Sequence, residues 1–202
     1  MKKLLIVLTL AAMPAVVFGQ GRVAFANSST TQTTSNLNMG AAVGLTDGVN
    51  QFKFGLYIAP AGTIDPAAFT LASIDVTGLA ATTPNQSGAL GRGRFNGGNP
   101  LAIQGNAGVA IAFQIRGWSF QYATYEAAVA ADPLVALGVF RGASSIGSVT
   151  PATAAGPTPS LFGVGAGQVG GFALFANTVP EPSSIALGLL GLGAIALFRR
   201  RK

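Results

Sequence analysis

Two stretches of strict alternation dominate the middle of the chain. In residues 51–58, Phe52, Phe54, Leu56 and Ile58 fall on one side, and Gln51, Lys53, Gly55 and Tyr57 on the other. In residues 108–118, Val109, Ile111, Phe113 and Ile115 share a side. Ala110, Ala112, Gln114, Arg116 and Trp118 lie opposite, toward solvent or a second layer. Successive side chains of a strand point to opposite faces, so both stretches predict β-strands with one face in a core. Residues 23–27 (Val-Ala-Phe-Ala-Asn) alternate in the same way. The polar run at 28–38 that follows reads as loop.

Weaker signals fill the rest. Residues 69–77 are β-rich but change phase: Phe69 and Leu71 point one way, Ile74 and Val76 the other. A bulge near Ala72-Ser73 would reconcile them. Residues 90–95 predict a short strand with Arg92 and Arg94 on one face, closed by the turn Asn96-Gly97-Gly98-Asn99-Pro100. Residues 134–140, 144–149 and 171–176 predict further strands, with a Pro/Ala/Gly linker at 151–159. One helix is expected, over 125–131, capped by Thr124 and ended by Asp132-Pro133. Seven to nine short strands with regular turns predict an all-β body, an antiparallel β-sandwich with one short helix. A β-barrel and a glycine-rich β-solenoid are the alternatives.

The two ends read differently from the body. Lys2 and Lys3 precede an apolar run over 4–18, then Gly19 and Gln20. This is the pattern of a secretory signal peptide, with Val17 at −3 and Gly19 at −1 favouring cleavage before Gln20. Ala24-Phe25-Ala26 is a second cleavage candidate, inside the expected first strand. At the other end, Val179, Pro180, Glu181 and Pro182 precede a glycine-rich apolar run over 185–198 and the basic stop Arg199, Arg200, Arg201 and Lys202. As a helix that run would cover about 21 Å, short of the ~30 Å hydrocarbon core of a bilayer. The four bases set the terminus on the cytoplasmic side. Pro-x-Pro holds the preceding segment extended and outside the helix. The chain thus divides into a signal peptide (1–19), a β-sandwich body (20–178) and a tail (179–202), the tail being its only expected contact with the membrane.

Pro180-Glu181-Pro182, the short apolar helix and the terminal Arg cluster resemble the PEP-CTERM sorting signal. The resemblance implies export through the Sec machinery and processing by an exosortase, a membrane protease/transpeptidase. It also implies a Gram-negative-type host with an exopolysaccharide or biofilm matrix. A plain C-terminal anchor is the alternative. The body resembles exported PEP-CTERM proteins of Verrucomicrobia-type bacteria. The matching pieces are Gln20-Gly21-x-Val23-x-Phe25-x-Asn27, Leu56-Tyr57-Ile58-Ala59-Pro60-Ala61-Gly62-Thr63, Gln114-Ile115-Arg116-Gly117-Trp118, Tyr125-Glu126-Ala127-Ala128 and Gly142-Ala143-Ser144-Ser145. That resemblance implies no activity.

Charge, taken by position, changes the picture again. The chain is net +6, but half of its 12 bases belong to the two ends. Between residues 20 and 179 the bases are Arg22, Lys53, Arg92, Arg94, Arg116 and Arg141, against Asp47, Asp65, Asp75, Glu126 and Asp132. A near-neutral body has little attraction for phosphate, so no nucleic-acid partner is expected. The chain has no Cys and no His. That removes disulfides, thiolate chemistry and His-dependent triads.

Few residues remain as chemical candidates. The carboxylates at Asp47, Asp65 and Asp132 have turn or helix-stop explanations, and no Asp-rich loop suggests a metal. No catalytic residue, cofactor or metal is therefore expected. Gly91-Arg92-Gly93-Arg94-Phe95 reads as a charged edge strand or a polyanion contact. Trp118 and Tyr122 are a candidate glycan platform, with core packing as the alternative. Gly163-Val164-Gly165-Ala166-Gly167 lacks the Lys-Ser/Thr of a phosphate loop. Asn27-Ser28-Ser29 and Asn85-Gln86-Ser87 match the short glycosylation sequon. The expected function is a non-enzymatic cell-surface or matrix protein sorted by its tail. An exopolysaccharide-binding module is the alternative.

Overall fold

The structure, a computed structural model, describes residues 19–36, 44–46, 51–74, 79–86, 92–131 and 139–176. The segment expected to be a signal peptide, up to Phe18, and also Asp132-Pro133 and residues 177–202 lie outside the described residues. Among the described residues no helix is long and apolar enough to cross a membrane.

Fourteen strands occur among the described residues. They are β1 (Gln20–Val23), β2 (Thr34–Asn36), β3 (Gly44–Leu45), β4 (Phe52–Pro60), β5 (Thr70–Leu71), β6 (Ser73–Ile74) and β7 (Leu79–Ala80). Then follow β8 (Thr82–Gln86), β9 (Arg94–Phe95), β10 (Leu101–Asn106), β11 (Ile111–Ser119), β12 (Phe140–Ala143), β13 (Gly147–Val149) and β14 (Ala173–Ala176). One short α-helix, α1 (Tyr125–Ala130), lies between β11 and β12, with Thr124 as its cap accepting from the Ala127 amide at 3.1 Å. A 3-10 turn (Pro66–Ala68) precedes β5.

The strands form two sheets. The smaller has the order β1-β10-β6-β7. The larger runs β3-β2-β14-β12-β11-β4-β8-β9, with β13 paired to β11 and β5 to β4. All pairs are antiparallel except β14 with β2. The two ends of the larger sheet are tied through Gly93: the Thr33 amide donates to its carbonyl and its own amide donates to Thr46, both at 2.8 Å.

The core lies between the sheets. Phe52, Phe54, Leu56, Ile111, Phe113 and Ile115 from β4 and β11 meet Val23, Leu101 and Ile103 from the smaller sheet. Phe95 stacks on Phe54 at 4.2 Å and meets Phe25 and Phe162 edge-on. The expected core faces of β4 and β11 are therefore observed, with one correction. Val109 is 59% exposed, because Gly108 at φ 70° turns the chain and β11 starts only at Ile111.

The phase change at 69–77 has a different cause from a bulge. β5 pairs with β4 in the larger sheet, and β6 pairs with β10 in the smaller one. Ala72 is the crossing point: its amide donates to Leu56 and its carbonyl accepts from Ala81, both at 2.8 Å. Phe69 and Leu71 accordingly pack on the outer side of the larger sheet, and Ile74 on the core.

That outer side carries a second apolar layer. Tyr57, Ala59, Phe69, Ala112, Trp118, Ala128 and Val139 pack together beneath α1. Every residue of β11 is consequently buried. Gly55 makes room for the Trp118 ring, since a Cβ there would stand 3.0 Å from it.

Candidate functional site

A cluster of buried and half-buried polar side chains lies in this outer layer, around Arg116. Strand register places Arg116 opposite Gly55, and Gln114 opposite Tyr57. The guanidinium lies over Tyr57, 4.2 Å from the ring centroid, with Tyr125 at 5.2 Å on α1. Arg116 Nε donates to Gln114 Oε1 at 3.0 Å, Nη1 to Glu126 Oε1 at 3.2 Å, and Nη2 to the Pro66 carbonyl. Tyr57 Oη donates to the other Glu126 oxygen at 3.1 Å. Gln114 Nε2 donates to Ser144 O at 3.1 Å.

The electrostatics are those of a clamp. Arg116 has 9% of its side chain exposed, while Glu126 has 60%. Burial pushes the Tyr57 phenol well above its ordinary value; the Glu126 carboxylate adds to this through charge and hydrogen bonding, and Arg116 opposes it. Tyr57 thus stays a neutral donor. Each guanidinium nitrogen has an acceptor within the protein, and the rings of Tyr57 and Tyr125 lie against the group. The arrangement ties β4, β11, the 3-10 turn and α1 together. With 9% of its side chain exposed, Arg116 presents little surface to a substrate anion.

The cluster was hidden from sequence reasoning. Gln114 and Arg116 alternate with core residues and read as a face turned to solvent or to a second layer. The available signal was Trp118 on that same face, which already suggested a second layer.

The sequence candidates fall elsewhere. Trp118 is wholly buried, its indole N–H donating to Tyr122 O at 3.0 Å, with Tyr125 edge-on at 6.3 Å. This corrects the glycan platform: Trp118 has no ring face free for a sugar, and half-buried Tyr122 packs on the same layer. Asp65 caps the 3-10 turn, accepting from Ala67 at 2.9 Å. Glu126 is held by Arg116 and Tyr57, so the two carboxylates are structural. Asp47, Asp75 and Asp132 lie outside the described residues. Among the described residues no group of three metal-ligating side chains occurs.

Arg94 lies in β9, the last strand of its sheet path, while Arg92 sits in the turn before it. The glycine loop at 163–167 is filled by its own neighbour: Gln168 Oε1 accepts from the Gly165 amide at 2.9 Å. Asn27 is buried and fully engaged, donating to Thr31 and Gly93 carbonyls and accepting from the Phe95 amide. Asn85 lies in β8.

The candidate processing positions bracket the described body. Gln20 is the first residue of β1, which pairs with β10. Val23 and Phe25 beyond it are wholly buried, so a cut after Ala26 would remove two core side chains. β14 ends at Ala176, held between β12 and β2 with Leu174 wholly buried. Val179, Pro180, Glu181, Pro182 and the stop Arg199, Arg200, Arg201 and Lys202 lie outside the described residues.

Comparison with known proteins matches this last segment. No curated protein and no solved structure matches the chain. A family described as the PEP-CTERM protein-sorting motif does match, over residues 178–202, starting two residues after β14 ends. The motif implies exosortase processing. Residues 178–202 of the chain thus carry a PEP-CTERM protein-sorting motif.

Proposed function

We propose that the chain is a non-enzymatic surface or matrix protein, exported by the Sec machinery and delivered by its tail. In this reading the signal peptide is removed before Gln20. The run at 185–198 then holds the chain in the inner membrane, with Arg199, Arg200, Arg201 and Lys202 on the cytoplasmic side. An exosortase cuts near Pro180-Glu181-Pro182 and releases the body to the cell envelope or extracellular matrix.

The match of residues 178–202 to the sorting motif carries this reading. The body's architecture supports it. Both proposed cuts fall outside the described strands, since β1 begins at Gln20 and β14 ends at Ala176. Proline at 180 and 182 disfavours a helix interior, which suits a protease that needs accessible backbone. The engagement of Glu126 and Asp65 in structural contacts supports a non-enzymatic body. A glycan-binding role drew on Trp118 and Tyr122, and the burial of Trp118 takes that support away.

Fractionation of the native host tests delivery. The full chain is expected in the envelope or matrix fraction. A variant ending at residue 178 should lose membrane retention and appear in the soluble exported fraction. If the two variants fractionate alike, the tail is not what delivers the protein.

A further inference from the structure

One end of the body differs from the other in ways the sorting reading does not use. β11 and β14 run parallel, both being antiparallel to β12. Their C-terminal ends therefore lie at the same end of the sheet, the end from which the chain continues into the tail. Phe120, directly after β11, is 38% exposed, and Phe175 in β14 is 54% exposed. Two cations share this end. Arg141 sits opposite Phe175 on one side and Trp118 on the other, and Lys53 opposite Trp118 in β4.

The cations are held at the surface. Lys53 Nζ lies 4.6 Å from the Phe120 ring centroid and donates to Tyr122 O at 3.2 Å. Arg141 Nη1 donates to Val129 O at 2.7 Å, and Val129 is itself 44% exposed. Val109 before the start of β11 and Ile64 beyond the end of β4, exposed toward the other end, are aliphatic. Aromatic rings beside cations are the composition that favours a membrane–water interface, and anionic lipid attracts such cations.

The tether sets the distance. From Ala176 to Ile185, the first residue of the apolar run, is nine residues, which span at most about 32 Å when fully extended. The end that bears Phe120 and Phe175 is thus kept close to the bilayer for as long as the tail is inserted. We propose that this end of the body docks on an anionic lipid surface, with Phe120 and Phe175 in contact with it and Lys53 and Arg141 facing headgroup phosphates. The proposal rests on the reading that the tail anchors the chain. Its effect would be to hold the Pro180-Glu181-Pro182 segment at the membrane face, where a membrane-embedded enzyme acts.

The chain has no cysteine, so single thiols report cleanly. The full chain is expressed in a host lacking the processing enzyme. Its membrane-bound form is reconstituted in phosphatidylglycerol-containing vesicles with a nitroxide-headgroup lipid. Fluorophores are placed through Phe120→Cys, Phe175→Cys and, as the distal reference, Val109→Cys. Strong quenching at 120 and 175 with little at 109 is the expected result. Weak quenching at both 120 and 175, or equal quenching at all three, overturns docking while leaving the anchor intact. A label shielded from water yet unquenched points to a second copy of the chain and also overturns it. Protein that does not float with the vesicles has lost the anchor itself, and both readings fall together. Vesicles of phosphatidylcholine should quench less, and equal quenching there removes Lys53 and Arg141 from the contact.

Discussion

On the inner face of β4 and β11, Phe54, Leu56, Phe113 and Ile115 meet other apolar side chains from two sheets. On the outer face of the same strands, Tyr57, Gln114, Arg116 and Trp118 lie beneath a helix of six residues. The inner face is held by area removed from water and by close packing, and needs only the right volume. The outer face is held by directional contacts: a guanidinium with its acceptors, a phenol on a carboxylate and an indole on a carbonyl. α1 is too short to persist alone, so these contacts, rather than helix propensity, keep it in place. The comparison teaches that one strand can be written in two chemistries, and that the polar one positions the helix above it.

The largest difference should appear on the inner face. Phe54→Ala removes a wholly buried ring stacked on Phe95, and should destabilise by about 3–5 kcal/mol in urea unfolding. Trp118, the only tryptophan, reports the transition by fluorescence. On the outer face, Arg116→Ala should cost about 2–3 kcal/mol, since it strands Gln114 Oε1 and the Pro66 carbonyl and strips packing from Tyr57. The figure stays below that of a fully buried ion pair because Glu126 is 60% exposed. Equal costs for the two variants would mean that the outer layer is a second core rather than a clamp.

A smaller effect distinguishes the clamp by its pH dependence. Burial and Glu126 raise the Tyr57 phenol in the folded state, whereas in the unfolded chain it ionises near pH ~10. Above that pH the unfolded state has released a proton that the folded state keeps. Stability is therefore full below pH ~10 and falls above it, by up to about 1.4 kcal/mol per pH unit. Tyr57→Phe should remove this part of the alkaline loss, read as a smaller drop in Tm from pH ~9 to ~11 than in the parent chain. Parallel curves would show that Tyr57 is not held neutral by its surroundings.

How much could be read in the sequence depended on how local each signal was. β4 and β11 were plain because nine-residue strands with strict alternation leave few other conformations. β2 (Thr-Ser-Asn) reads as loop and β8 (Thr-Thr-Pro-Asn-Gln) carries no strand signal, because their pairing is set by neighbouring strands and not by their own hydrophobicity. β10 was missed because only Leu101 and Ile103 mark it, next to the turn at 96–100. At Ala72 the phase change was legible, but its meaning required the partners: a bulge and a change of sheet give the same pattern in one strand. The Arg116 clamp joins residues 57, 66, 114, 116 and 126, a constellation that no spacing rule reveals. The sorting motif lies at the opposite extreme. It acts as linear sequence, so Pro180-Glu181-Pro182 and the basic end were readable without any fold.

Delivery by the tail is tested most directly by the intact mass of the mature protein recovered from its native host. The expected species starts at Gln20 and ends near Pro180-Glu181-Pro182, without residues 185–202. A mature chain that still carries Ile185 and the terminal Arg199, Arg200, Arg201 and Lys202 would contradict exosortase processing and leave a permanent membrane anchor in its place.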